Sequence, residues 1–450
     1  MNENTENLNE IVISLLKARR FSALRERLLD MKPVDIAVLF EELPDEDVPL
    51  VYRILPKEFA AEAFVSMDPD MQERLILAFN DNELRAVLDE MYLDDTVDMV
   101  EEMPANVVKR ILAHTSPQTR HMINEILKYP DDSAGSIMTI EYVDLKKDMT
   151  VSQAFDKIRK TGIDKETVYT CYVKDNNRRL LGVITVKTML LAPQDEIIGD
   201  LMETNIIYVD TDEDKEVVAR MFDKYDFLAM PVVDKEGRLV GIITVDDAMD
   251  VIQEENSEDF AKMAAITPSE ESYLKTPVWR HAKNRIVWLL LLMLSATITG
   301  SILTYYESAF KAIPLLVAFI PMLMGTGGNC GSQSSVMIIR GLSMEDIQLK
   351  DFFRVVAKEA GIALICGIIL GAVNFVRIMI FYNNVTLAVV LGLTLLGIVF
   401  IAKIIGALLP MGAKLIHLDP AVMAAPLLTT ITDTCSVLLY FAIAKAAFGL

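Results

Sequence analysis

The chain is poor in the residues that form disulfides, zinc sites and catalytic pairs. Its 450 residues include four cysteines and four histidines. The cysteines have no Cys-x-x-Cys spacing and no histidine close in sequence, which indicates reduced thiols rather than a disulfide framework or a zinc site. The histidines lie outside the apolar segments, so an enzyme working within a membrane would lack its nucleophile–base or metal pair. These residues are Cys171, Cys330, Cys366, Cys435, His114, His121, His281 and His417.

Basic residues are scarce before the apolar segments. Residues 280–450 contain 12 Lys and Arg against 7 Asp and Glu, whereas the whole chain has 43 and 64, which leaves 31 and 57 for residues 1–279. So acidic a half excludes nucleic acid as an obvious partner, because phosphate binding requires a basic face. The excess favours a cationic partner, although ordinary solubility charge would account for part of it.

Short amphipathic units repeat through residues 8–127. A proline lies near the start of each unit, as in Leu43–Asp47, Leu55–Phe59 and Met67–Met71. Proline suits the first turn of a helix, and the apolar residues between these points recur at helical spacing. Repeated helix pairs of this kind stack into a superhelix, so we predict an acidic α-helical domain over residues 1–130.

Residues 136–192 and 198–251 are two copies of one unit. The segment Leu180–Thr185, LLGVIT, aligns with Leu239–Thr244, LVGIIT. Each copy is predicted to run strand, helix, strand, hairpin, strand and helix, with Lys235–Arg238 as the hairpin turn of the second copy. The repeat resembles a tandem pair of CBS domains, which implies an α+β fold over residues 131–252. A connecting helix is predicted from Val245 to Ile266.

Five apolar segments after residue 280 are long enough to cross a bilayer. Lysines and arginines flank the first span and fill the loop between the second and third, so the positive-inside rule places both on the cytosolic side. The first apolar run of the chain, Ile11–Leu16, is too short for an export signal. We therefore expect the N-terminal domains in the cytosol and Leu450 outside the cell. The predicted spans are Arg285–Tyr305, Ala312–Ile339, Val356–Phe381, Thr386–Leu409 and Ala421–Phe448.

Asp433 lies near the middle of the last span. An ionised carboxylate there costs roughly 2.5–3.5 kcal/mol on insertion scales, so an intramembrane Asp indicates an ion pathway or a proton relay. Hydroxyl-bearing residues surround it, and oxygen ligands suit a hard cation such as Mg²⁺ or Ca²⁺ rather than zinc or copper. The alternative is an Asp neutralised by protonation or by a partner such as Lys403. The nearby hydroxyls belong to Thr429, Thr430, Thr432, Thr434 and Ser436.

The second span carries an unusual run of small and polar residues from Pro321 to Gln333. Glycines there let backbone carbonyls and the Asn329 amide approach an ion or its water shell. Close helix packing is the alternative, since Gly327 and Gly331 form a Gly-xxx-Gly pair. Packing alone does not require Asn329 and Gln333, which favours a pore.

The pattern Pro321-xxx-Gly325-xx-Gly328-Asn329-x-Gly331-x-Gln333 resembles that of the MgtE family of magnesium transporters and channels, and the resemblance covers nearly the whole chain. It implies a multidomain α-helical membrane protein: a cytosolic helical superhelix, a CBS pair, a connecting or plug helix over residues 245–275, and a five-helix pore domain over residues 276–450. It also implies a homodimer with the pore on the two-fold axis. The implied ion pathway comprises Asp433, Asn329, the Thr429 carbonyl, Gly325 and Gly328.

Acidic residues of the N-terminal half are further candidates for binding Mg²⁺. The connecting helix carries Asp247, Asp250, Glu254 and Glu258 at steps of three or four, a ridge on which like charges repel. Each acid alone fits a solvated face or a helix N-terminus. The resemblance implies instead that such acids bind cytosolic Mg²⁺ between the N-domain, the CBS pair and the connecting helix. The implied ligands are Asp94, Asp98, Asp214, Glu216, Asp226, Asp247, Asp250, Glu255, Glu258, Asp259 and Asp419.

Together these features predict an Mg²⁺ channel or transporter of the inner membrane that internal Mg²⁺ closes, and they predict no enzyme. Thr244 and Asp247 match the Thr and Asp that hold a ribose in CBS domains, whereas the first copy has Thr185 and Thr188, so ATP at one site is an additional prediction. A coupled carrier for Co²⁺ or Mn²⁺ under nucleotide control is the alternative, but the spans lack the inverted repeat of many carriers. An anchored nucleotide sensor would leave Asp433 unexplained.

Overall fold

The computed structural model describes residues 3–269, 273–274, 276–306, 313–423 and 425–448. The chain divides into two compact units, Met1–Ile252 and Gln253–Leu450. Three groups of residues named in the predictions lie outside the described ones. They are Ala312 at the start of the second predicted span, residues 270–272 and 275 of the predicted connecting segment, and Leu450.

The N-terminal part of the first unit is helical, as predicted. Its helices are α1 (Glu3–Lys17), α2 (Phe21–Leu29), α3 (Pro33–Glu42), α4 (Val48–Tyr52), α5 (Lys57–Val65), α6 (Pro69–Ala78), α7 (Asp81–Leu88), α8 (Leu93–Glu102), α9 (Ala105–His114) and α10 (Pro117–Ile126). Prolines occupy the first turns of α3, α6 and α10, where the missing N–H needs no partner. Asn80 and Glu83 form a capping box that starts α7. The buried aromatic rings of Phe40, Tyr52, Phe64 and Phe79 pack at the centre.

The rest of the first unit is the predicted pair of α+β repeats. Its elements are β1 (Tyr142–Leu145), α11 (Val151–Thr161), β2 (Thr167–Lys174), β3 (Leu180–Thr185), α12 (Val186–Leu191), α13 (Ile198–Leu201), β4 (Val209–Asp210), α14 (Lys215–Tyr225), β5 (Ala229–Val233) and β6 (Leu239–Thr244). Within the described residues each repeat forms a three-stranded sheet, with its first strand parallel and its third antiparallel to the second. Gly237 adopts φ +76° in the predicted Lys235–Arg238 turn, a conformation that favours glycine.

The remaining helices are α15 (Val245–Met263), α16 (Val278–Tyr305), α17 (Ile320–Ser343), α18 (Phe352–Tyr382), α19 (Val385–Leu415) and α20 (Ala425–Phe448). Short 3₁₀ turns cover Pro314–Phe319, Leu349–Asp351 and Pro420–Met423. In the described part of the chain, five helical segments are long and apolar enough to cross a membrane. They coincide with the five predicted spans, although most extend several residues beyond the predicted ends. α15 ends at Met263, three residues before the predicted Ile266.

Glycines set how closely the helices of the second unit pack. α17 and α19 approach at Gly331 and Gly406, where the backbone of one helix meets the missing side chain of the other. A side chain at Gly406 would overlap the carbonyl oxygen of Gly331, so only glycine permits this approach. Small residues serve the same purpose in many membrane helix pairs.

Replacing Gly406 by Ala should destabilise the second unit, because the added methyl group must push α17 and α19 apart. Overpacking of this type costs roughly 1–3 kcal/mol. Thermal unfolding of the purified protein in detergent would measure the loss. Gly412→Ala on the same helix is the matched control, since nothing lies within 4 Å of the position its Cβ would take. Equal stability of the two variants would contradict this view of the helix contact.

Candidate ion pathway and metal-binding sites

The glycine-rich span is helical throughout, and its two faces differ. Gly325, Asn329 and Gln333 follow one another at four-residue steps and are exposed. Residues at this spacing share one face of a helix. Gly327, Gly328 and Gly331 are buried on the other side. The buried glycines pack against neighbouring helices, which confirms the packing interpretation for this face, and the amides form an exposed polar stripe on the other. We call Gly325, Asn329 and Gln333 the α17 stripe.

The buried glycines of α17 bring the Asp433-bearing helix close. A Cβ at Gly328 would lie 3.1 Å from the methyl carbon of Thr429, and one at Gly327 would lie 2.8 Å from the hydroxyl oxygen of Ser436. The Thr429 carbonyl accepts a hydrogen bond of 3.0 Å from the hydroxyl of Thr432. Asp433 lies one turn after Thr429 and is half-buried. The predicted pathway residues thus lie on two helices in direct contact.

Lys403 has partners other than Asp433. Its ammonium donates a hydrogen bond of 3.2 Å to the hydroxyl of Ser334, and it lies 4.0 Å from the Glu359 carboxylate. The suggestion that Lys403 neutralises Asp433 is therefore wrong. Helix periodicity could not reveal this, because Lys403 and Glu359 lie on α19 and α18, which no local pattern connects.

A cluster of acids forms in the first unit. Asp94 and Asp95 lie in the first turn of α8, and Asp246 and Asp247 lie in the first turn of α15. Carboxylates at helix N-termini are stabilised by the backbone N–H groups there, which explains why both pairs occupy first turns. Glu166, just before β2, completes the set, since its charge interacts with all four of these aspartates. We call these five residues the cytosolic acidic cluster.

Burial, and then the neighbouring carboxylates, raise the pKa of four members of this cluster. Burial and the neighbouring Asp95 raise the pKa of Asp94 to about 6, and burial with Asp247 and Asp246 does the same for Asp95. Burial raises the pKa of Asp247 to about 7 despite its hydrogen bond from Thr244. The pKa of Glu166 rises to about 8, first through burial and then through the surrounding aspartates. The folded cluster therefore favours a bound proton or another cation.

Other predicted ligands lie around this cluster. Asp98, on the exposed side of α8, also has a raised pKa, first from desolvation and then from Asp94 and Asp247. Asp250 is exposed on α15, and its pKa is raised by desolvation and by Asp246. Both predicted residues thus interact electrostatically with members of the cluster.

Sequence reasoning missed Glu166 as a candidate ligand. It lies between α11 and β2, where no motif or helical ridge marks it. Its backbone N–H donates to the carbonyl of Glu141 at 2.9 Å, which holds the segment in place. One carboxylate oxygen of Glu166 is buried and has no hydrogen-bond partner among the described residues. A buried oxygen of this kind suits a cation or an ordered water.

The three predicted ligands around α14 do not lie close together within one chain. Asp214 caps the N-terminus of the helix by accepting from the N–H groups of Glu216 and Val217, and Glu216 pairs with Arg220 at 2.7 Å. Asp226 lies at the opposite end of this 11-residue helix, with φ +54°. At ~1.5 Å per residue the two ends are about 16 Å apart, too far to share an ion.

At the end of α15 a lysine lies between two predicted ligands. The Lys262 ammonium is 2.8 Å from the Glu258 carboxylate and 2.7 Å from that of Asp419. Burial alone would lower the pKa of Lys262, but hydrogen bonds to Asp419 and Glu258 raise it above its ordinary value. Lys262 therefore holds Glu258 and Asp419 next to each other. Glu255 and Asp259, on neighbouring turns, are half-buried.

The donor chemistry of these sites is oxygen-only. In the described segments, no three His, Cys, Asp or Glu side chains lie close enough together to hold a metal ion. Mg²⁺ gives up its inner waters reluctantly and often keeps several of them when it binds. Carboxylates that lie farther apart contact such an ion through its waters.

The predicted nucleotide residues contact each other through their side chains in both repeats, but their backbone hydrogen bonds differ. In the second repeat, Thr244 donates to the Asp247 carboxylate through its hydroxyl at 2.5 Å and its N–H at 3.2 Å. In the first, the Thr185 hydroxyl lies 2.9 Å from that of Thr188 and accepts from its N–H. Asp247 thus belongs both to the predicted ribose-binding pair and to the cytosolic acidic cluster.

Family profiles match most of the chain. The profile described as "MgtE intracellular N domain" matches residues 31–132, and the CBS domain profile matches 134–195 and 198–254. The MgtE profile, described as "Divalent cation transporter", matches residues 320–443 and so includes the α17 stripe and Asp433. The chain belongs to the MgtE family. It is accordingly a multi-pass membrane protein whose N-terminal domains lie in the cytosol.

Relatives matched over nearly their whole length and a solved structure agree with the assignment to the MgtE family. The chain is 37% identical to "Magnesium transporter MgtE" of Thermus thermophilus over 94% of either chain. It is 31% identical to the protein of the same name from Bacillus subtilis, over 97% of this chain and 96% of the relative. The crystal structure titled "cytosolic domain of the Mg2+ channel MgtE in complex with ATP" is 37% identical, with a TM-score of 0.51 over 53% of this chain and 99% of that one. These relatives are transporters and channels rather than enzymes.

The cytosolic acidic cluster should make stability depend on pH. A carboxyl whose folded pKa lies above its unfolded value of about 4 stabilises the fold only while protonated. That contribution is complete below about pH 4 and is lost as the pH rises through the raised values of about 6 to 8. In EDTA, the melting temperature of the protein's first thermal transition should therefore decrease as the pH is raised from 5 to 8.5.

The double variant Asp94→Asn, Asp247→Asn should flatten this dependence, because amides do not titrate. Mg²⁺ at ~10 mM, the range of weak carboxylate sites, should raise the melting temperature of the unmodified protein at pH 8.5. A pH slope identical in the variant and the unmodified protein would show that other groups cause it.

Proposed function

We propose that the protein conducts Mg²⁺ across the membrane along a pathway lined by the α17 stripe and Asp433. The observation that carries this proposal is the exposed row of Gly325, Asn329 and Gln333 beside the Asp433-bearing helix. Amide side chains do not face hydrocarbon without cost, so the row must meet water or another protein surface. The Thr429 carbonyl and the open backbone at Gly325 add oxygen acceptors for the water shell of an ion, whereas Gly328 packs against Thr429.

A second copy of the chain is the partner that we propose for this face. One Asp433 per chain gives a single carboxylate, whereas a two-fold axis beside the α17 stripe would place two of them across a common pathway. Two carboxylates and their neighbouring carbonyls can bind Mg²⁺ through its waters, which avoids the cost of removing them. The homodimer therefore explains both the single acid and the exposed amides.

Mg²⁺ is the cation that the relatives' names favour. The proteins from Thermus thermophilus and Bacillus subtilis are both named magnesium transporters. These names favour Mg²⁺ over the alternative of a Co²⁺ or Mn²⁺ carrier. The hard oxygen donors along the proposed pathway agree with this choice.

We further propose that the cytosolic acidic cluster senses internal Mg²⁺. Its carboxylates repel one another, so α8, α15 and the Glu166 segment are held together at a cost when no cation is bound. Bound cations relieve that repulsion and stabilise the closed arrangement of these elements, each by RT ln(1 + [L]/Kd). Several weak sites acting together produce a steep response. The same helix, α15, carries Asp247 near its start and Lys262 near its end, which connects the sensor to the Asp419 contact.

ATP is proposed as a modulator at the second CBS repeat. A relative's cytosolic domain was crystallised with ATP, and the Thr244 hydroxyl here donates to the Asp247 carboxylate, which keeps the two predicted ribose-binding residues side by side. Since Asp247 also belongs to the acidic cluster, nucleotide and Mg²⁺ would influence one another's binding, and such coupling is reciprocal.

Asp433→Ala should abolish Mg²⁺ current in patch recordings from liposomes that contain the purified protein. The loss follows because the pathway would no longer hold a carboxylate to attract a divalent cation. Cys435→Ala, two residues along the same helix and also half-buried, should conduct normally. Undiminished current in Asp433→Ala would exclude this residue from the ion pathway.

Asp94→Asn combined with Asp247→Asn should leave maximal current unchanged and blunt its shutdown by internal Mg²⁺. Removing two carboxylates weakens the cation-bound state, so half-closure should need roughly tenfold more Mg²⁺. Stepping the internal concentration from micromolar to ~10 mM in the same recordings measures this shift.

Two further variants separate the sensor from its surroundings. Asp195→Asn, an exposed acid outside the cluster, should close at the normal concentration. Thr244→Ala keeps all the acids and should weaken ATP binding, measured by calorimetry, while Mg²⁺ alone still closes the pore. Normal closure by internal Mg²⁺ in the Asp94, Asp247 double variant would show that the cluster takes no part in gating.

A further inference from the structure

Three helices of the second unit meet at a buried polar contact that the proposed pathway does not use. The Ser334 hydroxyl on α17 donates a hydrogen bond of 2.6 Å to the Glu359 carboxylate on α18 and accepts one of 3.2 Å from the Lys403 ammonium on α19. The exposed fractions are 2% for Ser334, 8% for Glu359 and 5% for Lys403. Ionisable side chains are rarely buried in a membrane domain unless they are paired and serve a purpose.

These residues border the proposed ion pathway. A cavity of about 1110 Å³ is lined by Lys403, Glu359 and Ser334 together with Asn329 and Gln333 of the α17 stripe. The other charged residues of its lining are Asp346, Asp351, Arg354 and Lys358. The lining thus holds three acids and three bases, so its net charge is zero, and the loss of either Glu359 or Lys403 alone would unbalance it.

We propose that Glu359 offsets the charge of Lys403, so that a divalent cation can occupy the cavity beside Asn329. Lys403 alone would repel a doubly charged ion, and a single positive charge about 10 Å away in a protein-like medium changes ion affinity by roughly tenfold or more. Glu359 alone would attract the ion and hold it too firmly for rapid release. The bridging Ser334 hydroxyl fixes the pair to the helix that carries Asn329. This inference rests on the proposed Mg²⁺ conduction.

Variants that neutralise one charge test the proposal. If the two charges balance each other, the two single variants should change the KM in opposite directions. If the residues only hold the helices together, both variants should raise it. Glu359→Gln leaves a net positive cavity and should raise the KM of Mg²⁺ uptake roughly tenfold. Lys403→Gln leaves a net negative cavity and should lower KM, with a lower maximal rate. The double variant is neutral again and should have a KM within about threefold of the unmodified protein. Uptake by liposomes loaded with a Mg²⁺ indicator measures both parameters.

Thr394→Val is the matched control, since Thr394 is fully buried on the same helix as Lys403 and carries no charge. It should transport normally. Single variants that both raise KM would overturn the proposal, because lost hydrogen bonds rather than charge would then explain them. Should a single variant fail to fold, the double variant decides: normal KM supports the charge balance, and impaired uptake by folded protein overturns it. If the unmodified protein moves no Mg²⁺ in these liposomes, the proposed function itself fails.

Discussion

Polar groups inside a membrane must reach water, protein or an opposite charge, and this requirement organises the second unit. Asp433, the amides of the α17 stripe and the Glu359–Lys403 pair are each costly in hydrocarbon. The buried glycines of α17 make their arrangement possible, because they let α19 and α20 pack closely against it. Among the described residues the polar face of α17 is left exposed, which is the reason to infer a water-filled pathway shared with a second copy.

The main constraint on the first unit is an excess of negative charge. Four of its clustered acids, Asp94, Asp95, Asp247 and Glu166, have raised pKa values because they are partly removed from water and lie near other carboxylates. The carboxylates of such a cluster repel one another, and a bound cation reduces this repulsion. Cation binding therefore stabilises the fold, and the gain in stability depends on the affinity for the cation. In the gating that we propose, that link lets a set of weak contacts report the internal Mg²⁺ level.

Much of the fold followed from local patterns. Proline-marked helices, the duplicated LLGVIT and LVGIIT segments and the five apolar spans all depend on residues close in sequence, and the structure confirms each. Errors arose where residues far apart in the chain meet. Lys403 pairs with Ser334 and Glu359 rather than Asp433, Glu166 joins the acidic cluster without any motif, and Lys262 lies between Glu258 and Asp419.

The sequence by itself determined the order of domains, the number and place of the spans and the identity of the chemically costly residues, because periodicity, apolar length and charge are local properties. The tertiary structure decided which of those residues share a neighbourhood. It separated the packing face of α17 from its polar face, and it grouped acids from α8, α15 and the Glu166 segment. Contacts between distant segments depend on how helices pack, and a single sequence carries no direct record of that packing.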